Sequence, residues 1–168
     1  GDGFLLRNGF SILWLGWQFD TPEVDGRMRL YPPTAAGDDE PLEGLVRSDF
    51  IVTETTYAHS LGDRGHAAYP VSDANDARNV LTVRDKPTAE RQVVPRDQGQ
   101  FARHENNRAV ADATTVFLRG GFAPGRIYEV VYVSQNPPIT GTGMAAIRDT
   151  ISLLKYSAAE ALSIPNGA

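Results

Sequence analysis

At 168 residues, 41% hydrophobic and 22% charged, the chain has the length and balance of one ordinary globular domain, which excludes a collagen-like or wholly disordered polymer. No apolar run approaches the roughly 20 residues of a membrane-spanning helix, and the absence of cysteine rules out disulfides, thiolate metal sites and cysteine nucleophiles. The net charge of −5 is uneven: residues 1–84 hold 7 basic and 13 acidic side chains, residues 85–168 hold 9 and 8, and neither half concentrates the positive charge that a nucleic-acid backbone attracts.

The opening Gly1-Asp2-Gly3 is acidic and lacks the basic start of a signal peptide. Without an initiator Met, the chain is expected to begin inside a longer product. Phe10-Ser11-Ile12-Leu13-Trp14-Leu15-Gly16-Trp17 has few polar breaks. That length and texture predict a strand near 10–17 covered on both faces, as in a parallel sheet.

From Thr21 to about Gly120 the texture changes. Short apolar segments at Arg27–Tyr31, Gly44–Thr53, Val80–Val83, Gln100–Arg103 and Thr114–Leu118 alternate with clusters such as Pro32-Pro33 and Ser72-Asp73-Ala74-Asn75-Asp76. Regular punctuation of this kind predicts a β-rich antiparallel section.

Arg126–Ser134 reads as a further strand, stopped by Pro137-Pro138, since proline cannot donate to a ladder. A helix is expected near 143–162. Met144, Ile147, Ile151, Leu154, Ala158 and Leu162 recur at spacings of three and four, which makes one apolar stripe for burial. Thr142 is the expected N-cap. Arg148 and Asp149 lie off the stripe, and each is expected to pair elsewhere because adjacent helical residues do not face each other. The glycines Gly141 and Gly143 suit either tight packing or an anion-binding helix start.

Two stretches carry a family resemblance. Gly3 to Asp20, with its Gly16-Trp17-Gln18, and Gly121-Phe122-Ala123-Pro124-Gly125-Arg126-Ile127-Tyr128 running into Gly141-Thr142-Gly143 and Arg148-Asp149, resemble a bacterial group of large α/β-hydrolase-domain proteins. Phe19 departs from the group, which more often has a small residue there. The resemblance implies an α/β fold: part of a hydrolase-like sheet, with core segments at 1–20 and 121–168 interrupted by a β-rich insertion at 21–120. It also implies a serine hydrolase of an ester or related acyl substrate. There the nucleophile follows the helix, so this chain is expected to end before it, and the catalytic remainder to come from further residues or a companion chain. No cofactor is implied, and Gly-x-Ser-x-Gly, the pattern of an exposed nucleophile turn, is absent from the sequence.

Candidate site residues are few. Ligands in open α/β sheets bind beyond the carboxyl ends of strands, which singles out Trp17 as a pocket wall and Gln18 and Asp20 as its polar groups. The alternative is packing for Trp17 and a turn cap for Asp20. Of the histidines, His59 and His66 flank the turn-rich Gly62-Asp63-Arg64-Gly65, and His104 stands apart. Asp38-Asp39-Glu40 and Asp73-Ala74-Asn75-Asp76 lack the spaced ligands of a calcium loop. No metal site is expected.

Overall fold

The computed structural model describes residues 3–37 and 40–157, in two compact units: 34–138, and the segments 3–33 and 139–157 that flank it in sequence. The larger unit holds seven strands: β1 (Glu43–Ile51), β2 (Thr56–Ser60), β3 (Val80–Arg84), β4 (Gln92–Val93), β5 (Gly99–Glu105), β6 (Arg108–Phe122) and β7 (Ile127–Gln135). They form one sheet in the order β1-β7-β3-β4 and another in the order β2-β6-β5. Every ladder is antiparallel.

This overturns the expected α/β fold with its hydrolase-like sheet. The reason lies in the connections, because a parallel pair needs a crossover of about a dozen residues or more. Here β5 meets β6 through Asn106-Asn107 alone, with φ of 49° and 60°. Asparagine tolerates that left-handed region, which a type I′ two-residue hairpin turn demands at both positions. The strand expected at 126–134 exists as β7, but it is central, flanked by β1 and β3. It is not a sheet edge awaiting a neighbour.

The two sheets contribute to one core. Phe50 from β1, Leu81 and Val83 from β3, Val116, Leu118 and Phe122 from β6, and Tyr128, Val130 and Tyr132 from β7 are all buried. Phe122 meets Phe50 and Tyr128 edge-on, at centroid distances of 5.2 and 4.8 Å. This geometry suits the ring quadrupoles. The Tyr132 hydroxyl donates to the Tyr69 carbonyl at 2.8 Å, and burial pushes its pKa up to about 12. Asn79, buried between β7 and the preceding turn, accepts the Val133 amide on Oδ1 at 2.9 Å and donates through Nδ2 to the Asp73 carbonyl at 2.8 Å.

The smaller unit contains the one-turn helix α1 (Phe4–Arg7) and the helix α2 (Thr142–Tyr156). The strand expected near 10–17 is absent: residues 10–18 have no regular structure and no ladder partner. Trp14 is 75% exposed, and Phe10, Ile12, Leu13 and Trp17 are also open. Apolar content identified a segment that favours burial; it did not supply the paired backbone that a strand requires.

Helix α2 occupies most of the expected 143–162 span, whose residues 158–162, including Ala158 and Leu162 of the stripe, lie outside the described residues. Its N-cap is Gly141, at φ 79°, while Thr142 is already helical and donates to the Ile139 carbonyl. Met144, Ile151 and Leu154 of the stripe are exposed. Among the described residues no helix is long and apolar enough to cross a membrane.

Candidate functional site

The segment ending in Gly16-Trp17-Gln18 is held from two sides by close backbone approaches. A side chain at Gly16 would meet the Arg29 backbone nitrogen at 2.6 Å. A side chain at Gly143 would run into the Trp17 carbonyl and indole. Gly143 is the buried residue of α2, and its lack of a Cβ lets the helix start lie directly against Trp17. The Leu30 amide donates to the Gln18 carbonyl at 3.0 Å, adding a third tie.

These contacts leave a pocket of about 260 Å³ lined by Trp17, Gln18, Phe19, Asp20, Leu30 and the Gly141–Met144 turn. The three site residues expected from sequence therefore line one pocket. Gln18 Nε2 donates to Asp20 Oδ1 at 2.8 Å, which fixes the direction of the amide. An amide has two N–H groups and a carbonyl, so Gln18 retains one donor and its oxygen for a bound molecule. Trp17 is half-exposed, and Phe19 stands on the same wall. Leu30 and Met144 also line it; the sequence carries little signal for either, because neither lies near Trp17 in the chain.

Comparison with protein-family models, with curated proteins and with solved structures finds no match to this chain.

Among the described residues the other titratable groups do not assemble into a reactive cluster. His59 stacks flat on Phe50, with centroids 3.8 Å apart, and its Nδ1 lies 2.7 Å from the Ser60 carbonyl. His104 packs near Tyr57 and Phe117, and His66 follows the short 3₁₀ turn at Asp63–Gly65. Among the described residues no group of three His, Asp or Glu side chains is placed to hold a metal. Asp38 and Asp39 of the acidic turn lie outside those residues.

Asp73 and Asp76 spend their carboxylates locally. Asp73 accepts the Asn75 amide, and Asp76 receives the Arg78 amide and guanidinium. The Arg78 hydrogen bonds hold Asp76 down to a pKa of about 2. Arg148 and Asp149 bond each other at 2.7 Å, contrary to the expectation of separate partners. The long arginine arm folds back over the helix surface, which Cβ directions alone do not forbid.

Proposed function

We propose that this chain supplies scaffold and one pocket wall, but not the nucleophile, to a serine hydrolase acting on an ester or related acyl substrate. One observation carries the reading. Trp17-Gln18 and Gly141-Thr142-Gly143, from the two stretches that bear the family resemblance and more than a hundred residues apart, line a single pocket. Glycine at 143 is what permits that approach. The Trp17 ring then offers an apolar wall, and Gln18, oriented by Asp20, offers a donor and an acceptor to the acyl substrate.

The serine attacks the substrate carbonyl after a histidine removes its proton, and an acid orients that histidine. In this reading all three come from outside the 168 residues, in further sequence or in a companion chain. The antiparallel unit 34–138 is then an insertion between the two pocket-forming segments and takes no part in the chemistry.

The test uses the protein encoded by the complete reading frame. It should be labelled by a fluorophosphonate and should hydrolyse p-nitrophenyl acetate, while the 168-residue chain does neither. Trp17→Ala should lower kcat/KM by roughly tenfold, the scale of a lost apolar pocket contact. A full-length protein that neither reacts with the fluorophosphonate nor hydrolyses the ester would overturn the proposal. It would leave a second reading, a non-catalytic β-rich binding module, favoured by the separate core and cavity of residues 34–138.

A further inference from the structure

The larger unit contains a cavity of about 420 Å³, within the range of roughly 300–1,000 Å³ that small-molecule sites occupy. Its deep end is apolar. Leu81, Val116 and Val130 are almost completely buried, and Phe101 and Val94 extend the lining outward. Its open end is polar, with Arg96 and Gln100 exposed at the mouth. Depth and polarity thus run in the same direction, as an amphipathic ligand requires.

Arg96 gives that polarity a sign. Its Nη2 donates to the carbonyls of Asp76 at 2.6 Å and Asn79 at 2.8 Å, and its Nη1 donates to the Asn75 carbonyl at 3.2 Å. Three carbonyl oxygens fix the guanidinium but do not neutralise it. Asp76 is the acid that feels its charge, yet the Asp76 carboxylate is engaged through both oxygens by Arg78. A guanidinium carries five N–H donors, so Arg96 keeps Nε–H and the second Nη1 hydrogen for an outside acceptor. A fixed cation with spare donors at the mouth of an apolar cavity fits a carboxylate whose hydrocarbon tail points inward.

We propose that this cavity binds a medium-chain carboxylate, with Arg96 holding the head group and Leu81, Phe101, Val116 and Val130 receiving the tail. The site belongs wholly to residues 34–138 and does not rest on the acyl-hydrolase reading. It requires no covalent step.

Calorimetric titration of the 168-residue chain with octanoate, 1-octanol and octylammonium tests it. Octanoate should bind at least about tenfold more tightly than the alcohol, the scale of one charge-assisted hydrogen bond, and the ammonium should bind most weakly. Arg96→Gln should remove the preference for octanoate over octanol while the alcohol still binds. Because Arg96 also ties down the 75–79 turn, Ala111→Phe provides an independent variant: it narrows the lining from β6 and should abolish binding of both ligands while the thermal transition is retained. Octanoate that fails to bind, binding equal to that of octanol, or octanoate affinity unaltered by Ala111→Phe would each overturn the proposal. An Arg96→Gln protein that fails to fold leaves the decision with Ala111→Phe and with the head-group comparison in the wild-type chain.

Discussion

Asn79 and Val133, fifty-four positions apart, are joined by a hydrogen bond from the Val133 amide to the Asn79 side-chain oxygen at 2.9 Å. The residue just before β3 thereby supplies a partner to the central strand β7 at a buried position that no ladder bond covers in the β3 register, which ends at Val80 opposite Val131. Replacing Asn79 with leucine strands the buried Val133 amide N–H, while the Asp73 carbonyl keeps the Asp76 amide at 3.2 Å. The expected cost is about 1–3 kcal/mol, read as a lowered urea midpoint with an unchanged slope. A midpoint within error of wild type would show that water satisfies the amide.

Glu129, also on the central strand β7, accepts from Arg91 at 2.9 and 3.1 Å, and Arg47 approaches it to 2.8 Å. The Arg91 hydrogen bond, aided by the Arg47 charge, holds its carboxyl below the usual value, against the opposing effect of burial. A carboxylate depressed in the folded state adds stability that is complete above its unfolded pKa, roughly 4.3. That stability is lost as pH falls through the folded value. The thermal midpoint should therefore fall between pH 5 and pH 3, and Glu129→Gln should flatten this slope while costing about 2 kcal/mol at pH 7. The glutamine variant retaining the full acid slope would assign the effect to other carboxylates.

Gly143→Val tests the contact between α2 and Trp17. A valine side chain has no room against the Trp17 carbonyl, so the helix start must shift and the pocket must open. With tryptophan only at positions 14 and 17, the emission spectrum reports the change directly: a red shift is expected as the Trp17 indole gains water. An unaltered spectrum would mean that Gly143 does not set the indole's surroundings.

Ile151→Asp measures the exposure of the α2 stripe. Ile151 is 58% exposed, so the substitution should change stability by no more than about 0.5 kcal/mol. A large loss of thermal stability would show that the residue is covered in solution.

The contrast between β6 and Phe10–Trp17 explains how much of this structure can be read from residues alone. Thr114–Leu118, Gly44–Thr53, Val80–Val83 and Gln100–Arg103 announce strands because β-prone side chains are fenced by turn formers. Their antiparallel pairing also accords with the punctuation of the 21–120 segment. β2 is hard to read from the sequence because Thr56-Tyr57-Ala58-His59-Ser60 has no apolar run, although threonine and tyrosine favour strands. Phe10–Trp17 misled for the opposite reason: it is apolar throughout, and composition does not reveal whether a neighbouring strand exists to pair with it. The α2 stripe carries the same lesson, since period records which residues share a face and not what covers that face. Trp17, Gln18 and Asp20 could be grouped because they are adjacent. The Arg96 cavity could not be, because its lining comes from β3, β4, β5, β6, β7 and the turns between them, and only register brings them together.

The entry and exit of the larger unit lie side by side. Thr34 bridges to Pro138, and the Ala35 amide donates to the Pro137 carbonyl at 2.8 Å. A polypeptide whose two ends are clasped in this way behaves as a cassette. It can be lengthened, exchanged or removed during descent while the flanking chain need only span a short gap, and such junctions are where insertions are best tolerated.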